Sequence, residues 1–534
     1  MPRQRSRGAQ LRCVVIGLDA SGNFGFWKHI DGYCLRHHLD LTKDPNLKKS
    51  QSQLMGDLLS GLIKLSPDSD ETLLRQLTQQ LRSLITSGRL APAQRLPSSR
   101  DLAQSLSVGR NTVSFAIEQL AAEGYLTTSP GRRAVVSIGA SLDARKPQRI
   151  KTDQRTVELR VSPWARSLHN ASWPPIYRGR PRAFQPGLAD EREFPHDIWA
   201  RCLRRAARSA RVRGDSSHNS AALRKALQQH LAEHRGVKAT PDQIMIVPSA
   251  QAGIALIAKV MIGTGDLAWI ESPGYGGAFA ALQSAGAIVA GVPLDEFGMA
   301  LGERKDIPRL IFVTPSHQYP TGRLMPAGRR LELLRFAASV GASIVEDDYD
   351  SEFHYEARPV SALQGMGLST TVLYVGTFSK SMFADIRIGY IIVPERLIEI
   401  FELAQRHMGL SAAIPMQDAL AEFIRNGMYL AHVRKMTRLY KERRDQLLKA
   451  LASETGDRLS IEIPAGGMQL LARCGAFARD DQLSARLLEA GVVARPLSSM
   501  VFHKTKAQGL FLGFAAWNDV EIERAARILG RIVR

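Results

Sequence analysis

The stretch "LYVGTFSKSMFADIRIGY" sets one lysine, Lys380, in a small-residue turn after an apolar run, with Arg387 seven positions further on. Alone, such a lysine is an ordinary solvated charge. Three other apolar runs end in polar residues in the same way: "QIMIV" leads into "PSAQAG", "RLIFV" into "TPSHQYPTG" and "ASIV" into "EDDYDSEF". Short apolar runs of this type read as buried strands. In parallel α/β sheets, ligands bind beyond the carboxyl ends of the strands. Ser249, His317, Asp347, Tyr349, Thr377 and Lys380 are therefore expected to converge on one site.

The residue types suggest what that site holds. A lysine amine condenses with an aldehyde to give a Schiff base. A buried carboxylate, here Asp347, keeps a pyridine nitrogen protonated and makes the ring an electron sink. A helix N-terminus of small residues, Ser249, Ala250 and Gln251, together with Arg387, seats a phosphate dianion. Tyr275 in "ESPGYGGA" offers an aromatic face for stacking. One of each implies pyridoxal 5′-phosphate. His317 is open between a contact to the ring and a structural hydrogen bond. None of the four cysteines (Cys13, Cys34, Cys202, Cys474) has metal-site spacing, so no metal is expected, and their sparseness fits a reduced, cytoplasmic setting.

Elements must position these residues. From about 183 to 534, short apolar runs alternate with longer amphipathic stretches, the pattern of a sheet built from βα units. Residues 141–182 carry ten Lys/Arg against three Asp/Glu with scattered prolines, and read as an extended basic linker. Residues 1–54 have no clear periodicity. They read as an extension of unknown role, either a disordered basic arm or an over-called start with Met55 as the true beginning. No run approaches the ~18 apolar residues of a membrane span.

Residues 55–140 have a different character. "ETLLRQLTQQLRSLITSGRL" places leucines at helical spacing until Gly88, and "LPSSRDLAQSL" opens a second helix with Ser98 as its cap. After "SVG" a third helix begins with Arg110, Asn111 and Thr112 in its first turn. That is helix–turn–helix spacing with a donor-rich start, the end that enters a major groove. "YLTTSPGRRAVVSI" alternates around Pro-Gly as a two-stranded wing with Arg132 and Arg133 at its tip. Lysine plus arginine total 71 against 51 acids, a net +20, which favours a polyanionic partner such as double-stranded DNA.

"RLPSSRDLAQSLSVGRNTVSFAIEQLAAEGYL" closely resembles the winged helix of GntR-type transcription regulators. The resemblance implies DNA contacts from Arg100, Arg110, Asn111, Thr112 and Gly131, with Arg132 beside them on the wing. Residues 183–534 resemble a fold type I aminotransferase domain, a mostly parallel sheet flanked by helices. By that resemblance Lys380 is the Schiff-base lysine and Asp347 the partner of the pyridine nitrogen. Tyr349 bonds the ring hydroxyl and Tyr275 stacks on the ring. Ser249, Ala250, Gln251, Thr377 and Arg387 form the phosphate cup. The two modules joined by a long linker resemble MocR-type regulators, which implies a homodimer on repeated half-sites and an effector that is pyridoxal phosphate, an amine or an amino acid.

Two departures bear on activity. Phe511 in "GLFLGFAAW" stands where aminotransferases carry the arginine that anchors the substrate carboxylate, and Arg495 in "VVARPLSSM" is the candidate to replace it. In "RVRGDSSHNSAALRKAL", Arg213 aligns with a phosphate-reaching tyrosine, and His218 or Asn219 with a glycine. The expectation is a DNA-binding regulator with a cofactor-dependent sensing domain. The alternative is a working aminotransferase carrying a DNA-binding appendage.

Overall fold

The computed structural model of the chain describes residues 15–18, 24–30, 33–36, 58–138, 161–168, 179–209, 218–302, 306–356, 360–367, 371–475, 479–503, 505 and 507–534. It divides into two units, Met1–Leu159 and Arg160–Arg534.

In the first unit, strands β1 (Val15–Leu18), β2 (Phe24–Ile30) and β3 (Tyr33–Arg36) form an antiparallel sheet in the order β1-β2-β3. These strands lie within residues 1–54, the segment of no clear periodicity, whose other residues lie outside the described ones. The neglected signal is the dipeptide Asp31-Gly32 between two aromatic-bearing runs, the strongest short-range hairpin cue, and Ile30 pairs with Tyr33 across it.

The helices Leu73–Thr86, Ser99–Ser105 and Arg110–Ala122 follow, then the wing strands β4 (Leu126–Thr127) and β5 (Val135–Val136), paired antiparallel. Leu77, Leu81, Leu84 and Ile85 of the first helix bury against a core shared with Val113, Ala116, Ile117 and Leu120 of the third. Ser98 Oγ accepts from the Asp101 amide at 3.2 Å and so starts the second helix where the sequence predicts. Leu59 and Ile63 belong to the same core, which therefore extends upstream of the first helix.

The second unit opens with the helix Pro163–Ser167, started by Ser162 Oγ accepting from Ala165 N at 3.1 Å with proline at its first position. A local cap and a proline suffice for this one turn inside the basic segment 141–182, of which 141–160 and 169–178 lie outside the described residues.

The main sheet of this unit has eight strands in the order β6-β13-β12-β11-β10-β7-β8-β9. These are β6 (Ile244–Val247), β7 (Leu267–Ser272), β8 (Ile288–Asp295), β9 (Gly298–Met299), β10 (Leu310–Val313), β11 (Ser343–Asp348), β12 (Val372–Thr377) and β13 (Gly389–Ile392). β12, β11, β10, β7 and β8 run parallel, while β13 is antiparallel to both β12 and β6. β6, β10 and β13 are buried on both faces, which explains their continuous apolar runs. A smaller antiparallel sheet has the order β14-β15-β17-β16, from β14 (Leu459–Ile461), β15 (Gln469–Cys474), β16 (Arg495–Pro496) and β17 (Gly509–Gly513). Its core is shared with the long helix Met428–Thr455 and the last helix Asp519–Val533. Phe184 plugs into that core, and backbone bonds from Gly513 and Val493 to Phe184 and Ala183 hold the incoming chain. Among the described residues, no helix is long and apolar enough to cross a membrane.

Candidate cofactor site and candidate nucleic-acid interface

The parallel strands end together, and the chain crossing that edge carries the predicted residues. Ser249 follows β6 and caps the helix Ala250–Met261, its Oγ accepting from Ala252 N at 3.1 Å. Because β13 runs antiparallel, its beginning lies at the same edge: Gly389 is level with Val247 on one side and Thr377 on the other. That register brings Arg387, two residues before Gly389, beside Ser249, Ala250 and Thr377. Gly389 permits the approach, since a Cβ there would fall 2.7 Å from the Ala250 amide nitrogen. Arg387 is exposed, with φ 51°, and makes no hydrogen bond or ion pair among the described residues. A cup of helix-start amides beside an uncommitted guanidinium suits a phosphate dianion.

β11 supplies the carboxylates, and strand alternation sorts them. Glu346 and Asp348 face one side. There the Glu346 carboxylate accepts the Leu363 and Gln364 amides at 2.9 and 3.1 Å. Asp348 takes Arg235 Nε and Nη2 at 2.8 and 3.1 Å and the Tyr374 hydroxyl. Burial pushes Asp348 up, but Arg235 and Tyr374 outweigh it and hold the carboxyl at about 2. Asp347 points the other way. It is buried and its Oδ1 has no hydrogen-bond partner among the described residues. Burial, then the Asp348 and Asp350 charges, push its carboxyl up to about 8, with Lys380 only partly opposing. The sequence suggested that the acids follow the strand; instead β11 runs through Asp348, because these partners satisfy the flanking acids inside it.

Lys380 lies in the turn after β12, and its Nζ donates to the Gly187 carbonyl at 2.7 Å. Burial first, then the nearby Arg495 charge, lower its pKa; Asp350 and Asp347 oppose them. Glycine suits this position because its φ of 79° is one that other residues rarely adopt, and a Cβ there would also fall 2.8 Å from Lys380 Nζ. Tyr275 donates to Gln251 Oε1 at 3.1 Å, and Gln251 Nε2 donates to Gly277 O at 2.9 Å. Burial, then Asp347, raise the Tyr275 pKa. Tyr349 is likewise raised, by burial and then Asp350, with Asp347 also contributing, so its phenol stays protonated. Tyr319 sits edge-to-face with Tyr275, Tyr349 and Phe511 at 5.5, 5.9 and 5.1 Å.

The structure thus brings Lys380, Asp347, Tyr349, Tyr275, Ser249, Ala250, Gln251, Thr377 and Arg387 to one edge. His317 Nδ1 bonds Asp350 at 2.8 Å and the ring lies against the Gly466–Gly467 turn, while its buried Nε2 has no partner among the described residues. Of the two departures near residue 213, Arg213 lies outside the described residues. Asn219 accepts from Ile246 N at 2.7 Å and fastens β6. Gly187, Tyr319 and Gln469, whose side chain hydrogen-bonds Tyr349, escaped the sequence reading. Tyr319 lies inside a quoted motif, whereas Gly187 and Gln469 carry no local signal at all. The set fits pyridoxal phosphate: an amine for the aldehyde, an unpartnered buried carboxyl for a ring N–H, and an anion cup.

In the first unit, Arg100, Arg110, Gly131, Arg132 and Arg133 line one cleft between the third helix and the wing. Asn111 and Thr112 stand beside Arg110 in the helix's first turn. All four arginines are exposed, and none has an acidic partner among the described residues. Arg75 and Arg82 of the same unit are paired with Glu71 and Glu123.

Residues 188–529 match the family described as aminotransferase class I and II, and residues 73–136 match the bacterial regulatory proteins of the gntR family. The chain is 37% identical to the probable rhizopine catabolism regulatory protein MocR of Rhizobium meliloti, over 85% of this chain and 92% of that one. The chain belongs to the MocR-type transcription regulators. Another relative, the HTH-type transcriptional regulator TauR of Rhodobacter capsulatus, is 31% identical over 81% of this chain and 90% of its own. The structure also superposes on the kynurenine aminotransferase of Pyrococcus horikoshii with a TM-score of 0.62 at 23% identity, covering 70% of this chain and 95% of that one, a likeness of fold. As a MocR-type regulator, the chain binds DNA through its gntR-type domain, and its aminotransferase-class domain indicates pyridoxal phosphate as cofactor.

Proposed function

We propose that this regulator works in the cytoplasm as a homodimer on repeated half-sites of double-stranded DNA. We propose also that its grip responds to what occupies the Lys380 cleft: pyridoxal phosphate itself, or an amine or amino acid that joins it. The carrying observation is the half-buried Lys380 and the buried Asp347 at one sheet edge, the carboxyl with an unpartnered Oδ1. Bound there, pyridoxal phosphate supplies an aldehyde on which amines exchange and a ring that draws electrons.

The chain's own residues prepare for it. Lys380, with its lowered pKa, has a larger neutral fraction and is the better nucleophile. Asp347, buried with a free Oδ1, would hold a proton at a ring nitrogen, and Tyr275 and Tyr349 would be the aromatic residues beside the ring. The amides of Ala250 and Gln251, the hydroxyls of Ser249 and Thr377, and Arg387 hold the phosphate. Phe511, buried at the position of the usual carboxylate anchor, disfavours efficient amino-acid turnover and so favours sensing. An effector shifts operator affinity only by its differential affinity for the DNA-competent form.

The test begins with absorbance and mass of the purified protein before and after borohydride, which locates the cofactor on Lys380. Operator affinity is then followed by fluorescence anisotropy while amines are titrated. An amine that shifts the visible band must also shift operator affinity. A band shift with unchanged operator affinity overturns the sensing role, and multiple-turnover transamination would install the enzyme reading instead.

A further inference from the structure

Arg495 opens β16, directly opposite Phe511 on β17. The β17 position cannot bind an anion: Phe511 is 1% exposed and packed on Tyr319 and Leu471. Across the strand pair the situation is reversed. Arg495 Nη1 donates to the Tyr319 hydroxyl at 2.5 Å, and its buried Nε has no partner. No carboxylate among the described residues lies within ion-pair distance of it. A guanidinium stays charged at every physiological pH, and a half-buried cation without a counter-ion leaves its desolvation uncompensated. The charge is felt in the cleft, since Arg495 acts on both Lys380 and Tyr275. The cleft therefore holds an amine site at Lys380, an aromatic wall of Tyr275, Tyr319, Tyr349 and Phe511, and one cation lacking its anion. A small molecule carrying both an amine and a carboxylate complements all three.

We propose that Arg495 anchors the carboxylate of an amino-acid effector whose amine faces Lys380, supplying from β16 the contact that Phe511 removes from β17. This rests on the cofactor-site reading above and narrows its ligand to amino acids rather than plain amines. Arg495 is a specificity-determining residue on this view, and Tyr319 positions it.

The test uses full-length protein carrying pyridoxal phosphate, with ligand affinity read from the visible band. Glycine is compared with methylamine, and L-alanine and β-alanine with ethylamine, so that each pair differs by one carboxylate. In the wild type at least one amino acid binds about tenfold or more tighter than its amine, the discrimination a charge-assisted hydrogen bond supplies. In Arg495→Gln the ratio of amino-acid to amine affinity falls to about one, a ratio from which any change at Lys380 common to both ligands cancels; Arg495→Lys keeps part of the advantage. Should Arg495→Gln fail to fold, acetate competition on the wild type decides: acetate must weaken the amino acid and leave the amine alone. Equal affinities within every wild-type pair, equal losses for amino acid and amine in a folded Arg495→Gln, or acetate competing with both would each overturn the proposal. A wild type with no visible band after incubation with pyridoxal phosphate is a separate failure, which removes the cofactor reading itself.

Discussion

Arg110 and Lys380 are both basic residues near the start of a turn or helix, but their surroundings oppose one another. Arg110 shares an open cleft with Arg100, Arg132 and Arg133, all exposed and without acidic partners among the described residues. Lys380 sits beside a buried carboxyl pushed to about 8, near an unpaired guanidinium and three tyrosines. Exposed cations cost little to hold and act at long range on any polyanion, weakening steeply with salt. Buried unpaired groups are costly unless a ligand of matching chemistry completes them. The first arrangement suits a long, uniform partner and the second a small, specific one.

The contrast is most easily broken at Lys380. Lys380→Ala should abolish the visible band formed with pyridoxal phosphate and the mass increment after borohydride, leaving salt-dependent DNA binding in place. A variant that keeps the band would put the cofactor on another lysine. Next in size, Arg110→Ala should weaken operator binding by about 1–3 kcal/mol if the guanidinium reads a guanine edge, measured by anisotropy on operator and scrambled duplexes. An equal loss on both duplexes would make Arg110 a phosphate contact and the surface less selective than the contrast supposes.

The buried acids give a third prediction, in pH. Glu271 and Glu346 are pushed by burial to about 7, and Asp347 and Glu352 to about 8. Each binds its proton more tightly folded than unfolded, so unfolding releases protons and stability falls as pH rises. Below pH 6.5 the buried histidines His230, His354 and His432, with lowered pKa values, act in the opposite direction. The acids outnumber the opposing groups between pH 6.5 and 8, where Lys380 with its lowered pKa offsets part of their effect, and the melting temperature of cofactor-free protein should drop there. Asp347→Asn should flatten that slope by an amount of order 1 kcal/mol per pH unit. A slope unaffected by Asp347→Asn would mean that the carboxyl is already ionised. The smallest effect expected is for Tyr275→Phe, which removes the hydrogen bond to Gln251 and keeps the ring. Cofactor affinity should fall by about 1 kcal/mol or less, measured by dialysis against pyridoxal phosphate. A much larger loss would give the hydroxyl a direct contact to the ligand.

Much of this was legible from local pattern. Ser98 as a cap, the third helix beginning at Arg110, and the apolar runs ending near Ser249, Asp347 and Thr377 are short-range features that propensity and periodicity encode. The course of β11 through three consecutive acids was not legible, because charge argues against a buried strand until Arg235 and the amides of Leu363 and Gln364 are seen to meet those acids.

The sequence by itself determined two modules of different chemistry, the residues each exposes at its helix starts and strand ends, and the substitution of phenylalanine at position 511. Only the tertiary structure decided that Gly187 meets Lys380 across 193 residues and that Arg495 reaches Tyr319 across 176. The reason is physical: periodicity and capping are fixed by neighbours a few residues apart, whereas which side chains share a cleft depends on how distant strands close together. A lysine's spacing can nominate it for chemistry, but the carboxyl, the guanidinium and the carbonyl that tune it arrive from other parts of the chain.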